Sequence, residues 1–263
     1  MTPAWIVPDW PAPARVHAAS TLRAGGVSPP PWASLNLGEH VGDAPERVAE
    51  NRQVMAQALR LSAEPAWLEQ VHGTEVVDLD LEPARGSGGD GSGGAVPPLR
   101  RADAAVTSLP DRVLAVLTAD CLPVLFCRRD GVRIGIAHAG WRGLAGGVLE
   151  AAVDALAAPP EELMAWIGPG IGAAAYEVGA EVRDACLAAD AGAEGCFTPG
   201  RPGRWQCDLV GLARRRLQAL GLAAVYGGRW CTHSDPVRFF SHRRDGAERP
   251  TGRMATLIWL ADG

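Results

Sequence analysis

Three side chains in this sequence have the types that do chemistry: His72 in Gln70-Val71-His72-Gly73, Cys121 in Ala119-Asp120-Cys121, and His138 in Ala137-His138-Ala139-Gly140-Trp141. Each stands at the end of an apolar, strand-like run beside Gly or Asp, where a strand hands its last side chain to a cleft. Two imidazoles and one thiolate suit Zn, or copper, because soft sulfur and borderline nitrogen match those ions. Three protein ligands leave a fourth coordination position open, which separates a catalytic metal site from a structural one. The same residues also fit a plainer role, as a buried apolar thiol and two hydrogen-bonded imidazoles, and no short ligand motif joins them.

A second constellation is cationic. Arg142 follows His138 by four residues, Arg243 and Arg244 lie in Phe239-Phe240-Ser241-His242-Arg243-Arg244, and Arg253 follows Thr251-Gly252. The planar guanidinium fork suits phosphate or carboxylate, with ordinary surface ion pairing as the competing role for any one of them. Arg214-Arg215-Arg216 reads as a solvated helix face. Gly168-Pro169-Gly170-Ile171-Gly172 turns the chain sharply and can bring backbone N–H groups to a ligand, although turn geometry alone accounts for it. His17, His40 and His233 have no decisive context. Gly86, Gly88 and Gly91 satisfy G-x-G-x-x-G, but the chain then runs to Pro97-Pro98 and not into a helix, so a pyrophosphate would lack its anion site.

The elements that must position these groups follow from periodicity. Strands are predicted at Val16–Thr21, Glu75–Leu81, Val113–Thr118, Leu122–Cys127, Val132–His138, Glu161–Gly168, Leu222–Tyr226 and Met254–Leu260. The step Asp130-Gly131 signals a hairpin. Helices are predicted over Pro45–Leu61 with Asp43 as N-cap, Leu144–Ala157, Val178–Ala189, and Leu209–Leu220 with Asp208 as N-cap. Residues 83–100, rich in Gly and Pro, read as a mobile loop. Hairpins mixed with helices argue for an α+β fold with mixed sheets, in one domain spanning residues 1–263.

Composition narrows the function. The 263 residues, 47% hydrophobic, can bury a sizeable core. A net charge of -5 disfavours nucleic acid and anionic membrane as partners. All 25 basic residues are Arg, which excludes Schiff-base lysines, a pyridoxal-phosphate lysine and the phosphate-loop lysine. The prolines among residues 3–13 leave no apolar run for a signal peptide, and Val113–Cys127, interrupted by Asp120, falls short of the roughly 20 residues of a membrane span. Six Cys without a C-x-x-C pair read as reduced thiols, so a cytoplasmic location is expected.

Segments along nearly the whole chain carry a resemblance: Gly25-Gly26-Val27-Ser28, Ser34-Leu35-Asn36-Leu37-Gly38, His40-Val41-Gly42-Asp43, Gln70-Val71-His72-Gly73 and Thr118-Ala119-Asp120-Cys121-Leu122-Pro123-Val124 in the first half. His138-Ala139-Gly140-Trp141-Arg142-Gly143, Ile167-Gly168-Pro169, Tyr176-Glu177-Val178-Gly179, Phe239-Phe240-Ser241 and Thr251-Gly252-Arg253 follow. Together they resemble the YfiH-type laccase-domain family, described as multi-activity purine nucleoside phosphorylases. The resemblance implies a single α+β domain with mixed sheets layered between helices. It also implies Zn held by His72, Cys121 and His138, with copper as the alternative ion.

The implied reactions are phosphorolysis of adenosine, inosine and 5'-methylthioadenosine, and hydrolytic deamination of adenosine, so the expected partners are purine nucleosides and phosphate. Arg142, close to His138, is the expected phosphate contact, with Asn36 and Arg47 as further contacts. Asp120 joins Cys121 and His138 as a catalytic candidate, either supporting a ligand or capping a turn. The rival readings are a Cys121/His138 cysteine hydrolase or peptidoglycan-editing amidase-like role, a copper-dependent polyphenol oxidase, for which six His are few, and a non-enzymatic interaction module. No motif sets an oligomeric state.

Overall fold

The apolar run after Cys121 folds as the strand Leu122–Arg128, and its alternation sets the layers. Leu122, Val124 and Phe126 pack to one side while Leu125 and Cys127 pack to the other, as the two-residue period of a strand demands. Both faces are covered, so the run carries no polar alternation. In the computed structural model, residues 4–82, 100–246 and 249–261 are described.

Leu122–Arg128 lies inside a six-stranded sheet ordered Val225–Gly227, Leu163–Ile167, Leu122–Arg128, Ile134–Ala139, Ala104–Thr107 and Val76–Asp78. The outermost pairs are parallel and the inner ones antiparallel. A five-stranded sheet runs Trp5–Ile6, Val16–Thr21, Met254–Leu260, Val113–Thr118 and Pro65–Ala66, the last pairing being parallel. Between the sheets, Leu114, Val116 and Ile258 meet Leu125, Ile136 and Trp166. The far face of the larger sheet is covered by helices through Leu144, Leu149, Val182 and Leu212. Met55 of the helix Pro45–Leu59, with Leu35 and Leu37, covers the far face of the smaller one. The fold is thus α+β, mixed sheets layered between helices.

Several boundaries differ from the sequence expectation. The span Leu144–Ala157 is two helices, Trp141–Gly146 and Val148–Ala155, because Gly147 takes φ 99° and breaks the hydrogen-bond ladder. Glu75–Leu81 is a short strand, Val76–Asp78, that tightens into the 3-10 turn Leu79–Leu81. Val178 closes a two-residue strand, so the next helix starts at Ala180, and the strand expected from Leu222 is Val225–Gly227. The arginine triplet is not merely solvated: Arg214 donates to the Val225 and Gly227 carbonyls, Arg215 pairs with Asp190 and Arg216 with Glu150. The expected Gly-rich loop, with Gly86, Gly88 and Gly91, lies outside the described residues apart from Arg100, which opens the strand Arg100–Arg101.

Asp208 caps its helix by accepting the Gly211 N–H at 2.8 Å, but Asp43 caps nothing. Ala44 is the N-cap residue of Pro45–Leu59, and one Asp43 oxygen instead accepts from buried Ser28 and Asn36 at 2.6 and 3.0 Å. Loss of a cap costs about 1 kcal/mol, whereas stranding buried donors costs about 1–3 kcal/mol for each group. Urea unfolding should therefore show Asp43→Ala destabilised more than Asp208→Ala; the reverse order would restore Asp43 to a surface capping role.

Candidate metal centre and its two cavities

Asp103 precedes the strand Ala104–Thr107, and its carbonyl accepts the His138 N–H at 2.7 Å from the neighbouring strand. That pairing puts the two side chains together. The Asp103 carboxylate, 0% exposed, receives His138 Nδ1 at 2.8 Å and three successive backbone N–H groups, those of Val71, His72 and Gly73, at 3.1, 3.0 and 2.6 Å. Such convergence requires a tight turn, and His72 adopts φ 60°, in the left-handed region that non-glycine residues seldom occupy. Burial pushes the Asp103 carboxyl up, but the hydrogen bonds from His138 and the turn outweigh it and hold the group below the usual carboxylate range. An ionised Asp103 orients His138 through Nδ1–H and aims Nε2 at the cluster, where its lone pair would serve a metal ion once the Nε2 proton is displaced.

The donor atoms of His72, Cys121 and His138 all lie within 4.8 Å of one another, and the two imidazoles meet edge to face with centroids 4.8 Å apart. His138 is buried, Cys121 partly exposed and His72 exposed. A Cβ at Gly140 would stand 2.9 Å from Cys121 Sγ and 3.1 Å from His72 Cδ2, so only glycine fits behind the cluster. Burial pushes the Cys121 thiol up, yet the charge of His138 and hydrogen bonds with both imidazoles bring it down to about 6. For His138, burial lowers the pKa while the Cys121 charge and the Asp103 hydrogen bond raise it to about 9.

Asp120 binds a separate segment to the Cys121 turn. It adopts φ 95°, and its carboxylate accepts from Thr232 Oγ1 at 2.5 Å, Ser241 Oγ at 3.0 Å and Arg243 N at 2.6 Å. It therefore ties the His242–Arg243 segment to the Cys121 turn. The Gly168–Gly172 segment is equally structural, with the N–H groups of Gly168 and Ile171 spent on the Pro123 and Asp120 carbonyls.

Two cavities meet at this cluster. The larger, about 620 Å³, is lined by His40, Arg52, Trp67, Gln70, His138 and Arg253, and the smaller, about 250 Å³, by Trp141, Arg142, Tyr176 and Arg243. His72, Ala119, Cys121 and His242 line both. Arg142 is exposed and stacked on Trp141 at 4.4 Å. Arg47 points from the first turn of its helix and lines neither cavity. Asn36 is fully buried behind the larger cavity, its amide taken by Gly38, Asp43 and the Arg253 N–H. Sequence reasoning passed over Asp103, His242 and Gly140; the usable signal for Asp103 is an acidic residue set among alanines where an apolar strand begins.

In metal-free protein, the rate of Cys121 alkylation by iodoacetamide should reach half its maximum near pH 6, because the thiolate is the nucleophile. His138→Asn should move that midpoint upward by removing the stabilising charge. Mass spectrometry of the Cys121 peptide checks this, and a midpoint above pH 8 in the unmutated protein would contradict the pairing.

Residues 17–261 match the family model described as multi-copper polyphenol oxidoreductase laccase. The chain is 52% identical over 260 residues to a Pseudomonas aeruginosa protein named purine nucleoside phosphorylase, covering 98% of this chain and 99% of that one. It is 48% identical over 255 residues to the Escherichia coli purine nucleoside phosphorylase YfiH, covering 97% and 98%. Among solved structures, a Neisseria meningitidis protein superposes with a TM-score of 0.87 at 46% identity, covering 98% and 99%, and YlmD from Geobacillus stearothermophilus with 0.82 at 31%, covering 95% and 93%. The chain belongs to this laccase-like YfiH family.

Proposed function

We propose that the protein is a zinc-dependent purine nucleoside phosphorylase acting on adenosine, inosine and 5'-methylthioadenosine, with hydrolytic deamination of adenosine as a second activity in the same cytoplasmic enzyme. The observation that carries this reading is the placement of the His72, Cys121 and His138 cluster, with His72 and Cys121 lining both a cavity of nucleoside size and a smaller one bearing the exposed Arg142, and His138 lining the larger. The names of the relatives support it. The donor set fits zinc, or copper: two imidazoles and a thiol poised as thiolate, with His138 oriented by a carboxylate. When bound, such an ion supplies Lewis-acid chemistry.

The chain's own residues supply the rest. The larger cavity receives the nucleoside. Arg142, whose guanidinium has no carboxylate partner among the described residues, holds phosphate in the smaller one, where a charge-assisted contact orients an oxygen for attack at ribose C1'. Trp141 braces that arginine. With inosine and phosphate the products are hypoxanthine and ribose 1-phosphate.

A second reading is favoured by one observation: Cys121, His138 and Asp103 form a thiol, imidazole and carboxylate in series, the arrangement of a cysteine hydrolase. Alkylation separates the two. If Cys121 is a ligand, iodoacetamide should react slowly with the zinc-loaded protein and quickly after chelation, with turnover lost on chelation and restored by zinc. Rapid alkylation of loaded protein and chelator-insensitive turnover would favour the hydrolase. Arg142→Ala should raise the KM for phosphate about tenfold or more with little change in the KM for inosine; an unchanged phosphate dependence would move the phosphate elsewhere.

A further inference from the structure

The larger cavity is lined by two arginines, and the protein neutralises only one. Arg52 gives Nε and Nη2 to the Leu37 carbonyl at 3.2 and 3.0 Å, pairs with Glu39 at 2.7 Å and lies over the Trp67 ring. Arg253 spends Nη1 on the carbonyls of Thr251 and Gly252, at 2.9 and 3.2 Å, and its Nε and Nη2 have no partner among the described residues. Its aim is nevertheless fixed. The Arg253 N–H donates to Asn36 Oδ1 at 2.9 Å, its carbonyl accepts from Leu37 N at 3.1 Å, and its stem crosses Gly38, where a Cβ would stand 2.8 Å from Arg253 Cγ. Burial draws the Arg253 pKa down while the charges of Cys121 and Asp120 push it up, which puts the guanidinium within electrostatic reach of the cluster.

We propose that Arg253 binds the O6 and N7 edge of a 6-oxopurine and stabilises the charge that this base takes up on leaving, so that the enzyme prefers inosine- and guanosine-type nucleosides to adenosine. The inference rests on the phosphorolysis reading and ranks its substrates. In that reaction a phosphate oxygen forms a bond to C1' as the C1'–N9 bond breaks, and the bonding pair passes to the base. The pair delocalises over N7 and O6, and solvent later protonates the released base. Two N–H groups of one guanidinium match two adjacent acceptors, N7 and O6. Adenine offers N7 beside an exocyclic amino donor, so one contact is lost and donor faces donor. An arginine already partnered, such as Arg52, could not serve this purpose.

The test is calorimetric binding of the free bases to zinc-loaded protein, with kcat/KM for inosine and adenosine measured alongside. Unmutated protein should bind hypoxanthine about tenfold or more tightly than adenine. Arg253→Met should erase that preference and lower kcat/KM for inosine about 10- to 100-fold, with a smaller loss for adenosine. Arg253→Lys, which keeps the cation without the fork, should lose the preference too and serves if the Met variant does not fold. Equal binding of the two bases by unmutated protein, a preference retained in a folded variant, or a loss confined to the KM for phosphate would each overturn the assignment. A protein that prefers hypoxanthine through Arg253 but catalyses no phosphorolysis would overturn the proposed function and leave the base contact standing.

Discussion

A single buried carboxylate organises the site. Asp103 accepts four hydrogen bonds, three from consecutive N–H groups of the His72 turn and one from the His138 ring. A buried charge is tolerated only when so satisfied. The arrangement converts a loop residue and a strand residue into neighbours, fixes the tautomer of one ring and imposes the left-handed backbone of the other. Asp120 is the complementary device on the far side of Cys121, drawing Thr232, Ser241 and Arg243 to one turn. Asp103 thus holds the two imidazoles of the cluster, and Asp120 the turn that carries its thiol.

The layered sheets explain why such a site is rigid. Val113–Thr118 belongs to one sheet and Leu122–Arg128 to the other, so Cys121 sits where the chain crosses between them. His138 lies within the strand that pairs with Leu122–Arg128, opposite Pro123. His138 is therefore carried by a core strand, and Cys121 by the short turn between two core strands, whose apolar faces are sealed by helices and by the second sheet. His72 lies on a loop outside these strands, and the Asp103 carboxylate holds its backbone N–H.

Much of this was legible in the sequence. The ends of apolar runs marked Cys121 and His138, and strand periodicity gave Val16–Thr21, Val113–Thr118 and Met254–Leu260 with the observed bounds. The resemblance marked the three ligand candidates together, which spacing alone does not. What stayed hidden depends on contacts between distant segments: Asp103 becomes significant only when strand pairing sets it beside His138, and Asn36 acts through Arg253, 217 positions away. Helix breaks misread for a local reason, since an Ala- and Leu-rich run masks the positive φ of Gly147. Asp43 misread for the opposite one, because tertiary hydrogen bonds claimed a residue whose position suited a cap.

Asp103 draws His72, Cys121 and His138 into a cluster that could hold a metal ion, and zinc affinity measures this most directly. Competition with a chromophoric chelator should give one tight zinc per chain in the unmutated protein and an affinity about 10- to 100-fold weaker in Asp103→Asn, with the circular-dichroism spectrum of the fold retained. Equal affinity in a folded Asp103→Asn protein, or no stoichiometric zinc in either, would contradict the account.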